Sequence, residues 1–327
     1  MIWISKRKER MMTNLSLKYF ASVTGAILLF HSIPGFAQDD MMAADDPCAL
    51  ELTVDNSVDW RGLYGRGYEV FEEGESFETV TLSVRHQGAA CGFFLTAAPV
   101  SGGGVNALTG PGDPLYYDIL KSSSGPSFLS PDFQGTETSR VDGQFPEGSG
   151  VQGATLLVSI PAHQIVRGGT YSGQVMVRLF RAGGGIQDLV GEAPLAILAP
   201  VASVLKIRSD DFPQGIRETT IDLGDLSRAT RTAIDFNIMS NAEVAVTFQS
   251  ANRGQLAHQA GAPGIDYNLA FKGENIDLSA ATSSSRLNYA PSRIERAVPL
   301  EIVVPAPIGL PAAGQYSDAL TVTFTAD

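Results

Sequence analysis

Catalytic residues are scarce in this chain. Its 327 residues include two cysteines, two tryptophans and four histidines. His31 falls in the leader, and His86, His163 and His258 sit on separate segments with no partner acid at a recognisable spacing. There is no G-x-S-x-G elbow, no H-E-x-x-H pair and no phosphate loop. The expectation is a protein that is not an enzyme and needs no cofactor or metal. No stretch of fifteen residues repeats with helical periodicity, so helical bundles are excluded. No apolar run reaches the roughly 20 residues needed to span a bilayer.

Positive charge is also lacking, and most of what exists is at the start. Lys6, Arg7, Lys8, Arg10 and Lys18 precede an apolar run from Ala21 to Phe30, and Pro34-Gly35-Phe36-Ala37 supplies a small-x-Ala cleavage pattern. Residues 1–37 therefore read as a secretory signal peptide cut after Ala37. Met1, Met11 and Met12 all remain open as the start. Cleavage removes five basic residues and one acidic one, leaving 18 Lys and Arg against 34 Asp and Glu, a net charge of −16. So acidic an exported chain is a poor ligand for nucleic acid or anionic lipid. In an exported protein the even pair Cys48 and Cys91 reads as a disulfide, worth roughly 4 kcal/mol on the chain-entropy model.

What the chain has in quantity is turn residues, 34 glycines and 18 prolines, between short runs of Val, Thr, Phe and Tyr. That pattern predicts an all-β fold. Two phrases repeat. Gly169 to Phe180 reads G-T-Y-S-G-Q-V-M-V-R-L-F, and Gly314 to Asp327 reads G-Q-Y-S-D-A-L-T-V-T-F-T-A-D. Upstream segments recur in the same order: Cys48–Val54 and Ser203–Arg208, Leu115–Leu120 and Asp266–Phe271, Leu156–Ile160 and Leu300–Val304. The expectation is two tandem immunoglobulin-like β-sandwiches over 48–201 and 202–327, behind an acidic, flexible segment at 38–47.

The two copies end differently. After the first closing phrase, Leu189, Gly191, Ala193, Leu195, Ile197, Ala199 and Val201 fall on one parity. This segment, 186–201, is either the last strand of the first domain or a plain linker. The second copy stops on its closing phrase, so its sandwich is expected to lack a last strand. An open groove lined by Leu205, Ile207, Leu320, Val322 and Phe324 would forfeit roughly 1.5–3 kcal/mol per residue. The total, about 7–15 kcal/mol, rivals the whole stability of a domain at about 5–15 kcal/mol. A strand from another chain would remove the deficit.

The motif G-x-Y-x-D-x-L-x-V at Gly314 to Val322, with Ser240-Asn241, Ser250 to Leu256 and Ile265 to Leu269, resembles the spore coat U domain of archaic (Csu-type) chaperone–usher pili. The resemblance covers nearly the whole mature chain, once per domain. It is looser in the first, where Gly173 stands in place of Asp318. It implies export through the periplasm of a Gram-negative bacterium to the cell surface, with a periplasmic chaperone, an outer-membrane usher and a strand-donating next subunit as partners. Residues 38–47 make a poor donor strand, which implies a tip adhesin that mediates surface attachment and biofilm formation. The alternatives are a structural (minor or rod) subunit and a self-sufficient secreted coat or matrix protein.

Adhesion implies a contact with an abiotic or host surface. The candidate loops are Pro99–Pro114 and Ser122–Phe133, carrying Leu108, Phe128, Leu129 and Phe133. Exposed apolar residues on such loops bind apolar surfaces, although Phe128 and Phe133 can equally fold back on the core. Trp60, Tyr64 and Tyr68 could stack a sugar or serve as ordinary core aromatics. The cluster Glu72, Glu73, Glu75 and Glu78 could hold Ca²⁺ or form a solvated turn.

Overall fold

The computed structural model describes residues 2–3, 48–100, 105–183, 186–212 and 217–327. Nearly all of the leader and all of segment 38–47 lie outside the described residues. The protein is all-β. Its strands are β1 Ile2–Trp3, β2 Cys48–Val54, β3 Ser57–Asp59, β4 Phe77–Gly88, β5 Cys91–Pro99, β6 Ala107–Leu108, β7 Leu115–Tyr116, β8 Asp118–Leu120, β9 Val141–Phe145, β10 Gly148–Ser159, β11 Gly169–Gly183 and β12 Ile186–Val201. They continue with β13 Leu205–Arg208, β14 Glu218–Thr219, β15 Thr230–Ser240, β16 Val244–Ser250, β17 Gln255–His258, β18 Ile265–Asp266, β19 Asn268–Phe271, β20 Glu274–Ile276, β21 Ser283–Leu287, β22 Arg296–Val304, β23 Tyr316–Ser317 and β24 Leu320–Ala326.

Two sheets face each other in the first half, ordered β2-β4-β10-β8 and β3-β12-β11-β5-β9. Their inward residues alternate as a half-buried strand requires. Val80, Leu82 and Val84 on β4 meet Val175, Val177 and Leu179 on β11 and Leu195, Ile197 and Ala199 on β12 in one core. The second half repeats the order, with β13-β15-β22-β19-β20 facing β14-β1-β24-β16-β21. Ile234, Phe236, Val246, Phe248, Phe271 and Val322 form its separate core. By sheet position β2, β4, β5, β8, β10 and β11 correspond to β13, β15, β16, β19, β22 and β24.

Segment 186–201 is a strand, not a linker. β12 pairs antiparallel with β11 along its length and parallel with β3 at Ala196–Leu198. The single-parity expectation fails at one end. The register shifts between Leu179 and Phe180, so that Leu179 faces Gly191 while Phe180 faces Leu189. The extra residue, Val190, packs against the core while Leu189 is exposed. A bulge reverses facing beyond it, and simple alternation does not reveal its place. Pro194 costs no ladder bond. Ala196 donates its N–H to Asn56, on the β3 side. Pro194 has the same parity, so its nitrogen faces that side, beyond the end of β3.

The halves meet at Asn241, which is 0 % exposed. Its amide donates to Val166 O (3.2 Å) and Ala202 O (3.0 Å), and its Oδ1 accepts from Val204 N (2.7 Å). Arg293 adds a bond to Val70 O at 3.2 Å.

Candidate strand-acceptor site

In the first sandwich β12 lies between β11 and β3. The equivalent gap in the second lies between β24 and β14. There β1, two residues of the leader, places Ile2 opposite Leu320 and Thr219, and Trp3 opposite Thr321 and Glu218. It runs parallel to β24 and antiparallel to β14, opposite in sense to β12. Among the described residues, β24 from Val322 to Ala326 has a strand partner on the β16 side alone. A sixteen-residue strand fills the first slot, and a two-residue contact touches one end of the second.

A cleft of about 960 Å³ opens beside that end. Thr220–Ser227 form one wall and Leu310–Asp318 the other, with Leu256, Tyr267, Ile302 and Leu320 at the base. Leu310 on the rim is 91 % exposed, and Ile308 beside it is fully exposed. Ile221, Leu223 and Leu226 are half-buried against the second core.

The five residues expected to line an open groove divide into two groups. Leu205 and Ile207 on edge strand β13 are half-buried against the core. Leu320, Val322 and Phe324 are buried, which corrects the expectation that they lie uncovered. They point between the sheets rather than along the edge. Phe324 meets Phe236 at 5.1 Å and Phe271 at 6.2 Å. The deficit of about 7–15 kcal/mol therefore does not apply. What remains is an unpaired strand edge together with half-covered apolar residues, each with about 1 kcal/mol still to gain.

The fragments that carry the family resemblance converge at this end. Asp318 Oδ2 accepts from Ser250 Oγ at 2.6 Å and Tyr267 Oη at 2.7 Å, and its Oδ1 accepts from Asn252 N at 2.9 Å and Ala319 N at 2.8 Å. Burial, then the adjacent Asp318 carboxylate, pushes the Tyr267 phenol well above its ordinary range. Asp318 ties the end of β16, the start of β19 and the start of β24 into one knot. In the first sandwich Leu108 occupies the corresponding place. A Cβ on Gly173 would come within 2.8 Å of its Cδ2, which explains the missing acid there.

Three of the four expected surface-binding residues are core. Leu108, Phe128 and Leu129 are buried and join the first hydrophobic cluster. The Pro99–Pro114 loop leaves the end of β5 and the Ser122–Phe133 loop leaves the end of β8, and both fold back over the sandwich; Ser130 N donates to Ala97 O. Phe133 is 52 % exposed. It stands on the outer face of the β11 sheet, edge-on to Phe180 at 5.6 Å, with the Arg178 guanidinium 4.5 Å from its ring centre. Beneath it Phe180 stacks on Phe94 at 4.8 Å.

Trp60 and Tyr68 are core aromatics, while Tyr64 is exposed with Arg66 5.5 Å from its ring. Glu78 accepts from Arg61 N at 2.8 Å, which ties the acidic segment to the preceding turn. Cys48 and Cys91 form a disulfide joining the two sheets, with Cα atoms 6.2 Å apart.

The far end of the first sandwich was missed by sequence reasoning. β12 runs from Ile186 to the junction at Val201, so Ile186 marks the opposite end, roughly 45–50 Å away along the strand. The adjoining ends of β11 and β12, the β4–β5 turn after Gly88 and the β9–β10 turn after Phe145 all gather there, because Ala182 faces Gly92, Cys91 faces Phe145 and Gly148 faces Gly88. The β4–β5 and β9–β10 turns each cross from one sheet to the other in two residues, Ala89-Ala90 and Pro146-Glu147, with no sequence signal beyond that of an ordinary turn.

No family model matches this chain, and no curated protein matches it. Among solved structures it is similar to a chain of the CsuC–CsuE chaperone–tip adhesion subunit pre-assembly complex of archaic Csu pili from Acinetobacter baumannii, at 16% identity over 84% of this chain and 99% of that one, with a TM-score of 0.36. It is similar to the CupB6 tip adhesin from Pseudomonas aeruginosa at 10% identity, over 85% of this chain and 98% of that one, with a TM-score of 0.38. It is also similar to CfaE, the adhesive subunit of CFA/I fimbria of enterotoxigenic Escherichia coli, at 11% identity over 79% of this chain and 82% of that one, with a TM-score of 0.28.

Proposed function

We propose that this protein is a tip adhesin of a chaperone–usher pilus of the archaic, spore coat U type, held by its C-terminal sandwich through a β segment donated by another chain. The observation that carries this is the unequal filling of two equivalent slots. The first sandwich completes itself with β12. Among the described residues the second meets only Ile2–Trp3, which departs if a signal peptide is cleaved after Ala37. β24 then presents its free edge beside a cleft with exposed Leu310 and Ile308, the arrangement that strand addition fills with main-chain hydrogen bonds and side-chain pockets. A periplasmic chaperone would cover the slot before assembly, and an outer-membrane usher would exchange that cover for the next subunit.

The junction supports a division of labour. A fully bonded Asn241 fixes the first sandwich on the second, and its far end, where β4 crosses to β5 and β9 crosses to β10, faces away from the slot. We assign surface contact, and the biofilm attachment that follows from it, to that end together with flanking Phe133.

The test uses the chain from residue 38 onward. Alone it should self-associate through the unpaired edge of β24. With a chaperone, or with an alternating apolar peptide of about ten residues, it should become monomeric with a melting temperature that rises with peptide concentration. A sharp, peptide-independent melt of the free monomer argues against the proposal.

A further inference from the structure

His86 is the largest buried polar side chain that the adhesin reading leaves unused. It lies on β4, on the inward face shared with Val80, Leu82 and Val84, and is 1 % exposed. Its ring stacks on Phe145 at 4.8 Å with 9° between the planes. Its Nε2 is 2.8 Å from Ala89 O. A carbonyl oxygen only accepts, so Nε2 carries the ring proton and Nδ1 is a bare lone pair. That Nδ1 is buried with no hydrogen-bond partner among the described residues. A ring nitrogen of His86 and the sulfurs of Cys48 and Cys91 all lie within 4.8 Å of one another.

A buried acceptor without a donor is rare in a native protein and asks for an explanation. The neighbouring disulfide has no proton to offer, whereas the two thiols from which it forms have one each. Reduction of the disulfide would place two S–H donors beside this ring, and the stacked Phe145 ring favours the imidazolium that results from proton transfer.

We propose that His86 is the proton acceptor that activates Cys48 and Cys91 for closure of their disulfide. Cys91 is the more exposed sulfur and reacts first. Its thiol passes its proton to Nδ1, and the thiolate attacks one sulfur of a small-molecule or protein disulfide oxidant. A mixed disulfide forms, and the other half of the oxidant leaves as a thiolate that takes the proton from His86. The Cys48 thiol then passes its proton to Nδ1, and its thiolate attacks the Cys91 sulfur of the mixed disulfide. The Cys48–Cys91 bond forms and the second half of the oxidant leaves as a thiolate, again collecting the proton. Two electrons move from the cysteine pair to the oxidant, and two protons end on its released thiols.

An unassisted thiol is only a few per cent ionised at pH 7, and a histidine partner can bring it to full ionisation, so the effect is large enough to read. The experiment reduces the purified protein under native conditions, adds oxidised glutathione, and follows closure by acid quench, alkylation and mass shift from pH 6 to pH 9. The protein should close about tenfold faster than the His86→Gln variant at pH 7, and within about twofold of it at pH 9, where thiols ionise unaided. Equal rates at pH 7, or a gap constant across the range, overturn the proposal. If the reduced variant does not fold, Cys48→Ser alone decides it, with Cys91 alkylation by iodoacetamide followed against pH. A thiol reacting well below the ordinary range supports the assignment, and one reacting at the ordinary value overturns it.

Discussion

The side-chain amide of Asn241 donates to the main-chain carbonyl of Val166 at 3.2 Å, across the seam between the two sandwiches. The same side chain holds Ala202 O and Val204 N, the backbone of the connection itself. Every polar atom of the amide is therefore used; Val166 is buried, and Ala202 and Val204 are half-buried.

Asn241→Ala removes the side-chain partner of those three backbone groups, one buried and two half-buried. The expected cost is about 2–4 kcal/mol by urea unfolding, since each orphaned group is worth about 1–3. Asn241→Asp should cost nearly as much, because a carboxylate cannot donate to Val166 O or Ala202 O. Small-angle scattering should show both variants more extended, with new protease cleavage at 202–204.

Asp318 and Tyr267 predict an alkaline limit. The Tyr267 phenol is raised above its ordinary 10.0 by burial and then by Asp318, and the Tyr117 phenol is raised to about 12 by burial and then by Asp118. A folded value above the unfolded one means that the native state holds its proton longer. The associated stability is whole below pH 10 and is lost as pH climbs past it toward the folded values. Thermal melts should be flat in this respect to about pH 10 and fall beyond it. Asp318→Asn should bring the Tyr267 titration, followed by ultraviolet absorbance, to lower pH.

Core and surface aromatics in one loop separate cleanly. Phe128→Ala opens a cavity in the first core and should cost about 3–5 kcal/mol. Phe133→Ala removes an exposed ring that touches Phe180 and Arg178, and should cost only about 1 kcal/mol. Denaturant unfolding checks both. If Phe133 serves attachment, its variant should lose adhesion to hydrophobic beads while keeping its stability.

Leu310→Asp places a charge on the rim of the cleft at a fully solvated position. The free protein should change in stability by less than about 0.5 kcal/mol. Peptide-induced stabilisation should fall at least severalfold, because the charge is desolvated only when the slot is filled.

Much of the architecture was legible because strands leave a period-two trace. β11 and β24 sit where the two repeated closing phrases put them, and those phrases mark equivalent strands in the two sandwiches. The loops were not legible in this way. Leu108, Phe128 and Leu129 look like exposed apolar residues among Gly, Ser and Pro, and nothing local says that their loops fold back over an open sandwich end. Leu320, Val322 and Phe324 were placed on the right strand but assigned to its edge, because alternation names a face and not what covers it.

By itself the sequence determined the disulfide partners, the all-β class and the duplication, since cysteine parity and side-chain alternation are local properties. The tertiary structure alone decided that 186–201 closes the first sandwich, that a bulge turns Val190 inward, that Asp318 gathers three distant motifs, and that one slot is filled while its counterpart is barely touched. Those outcomes depend on which backbone edges lie a strand's width apart, a distance set by packing between segments that are not neighbours in sequence.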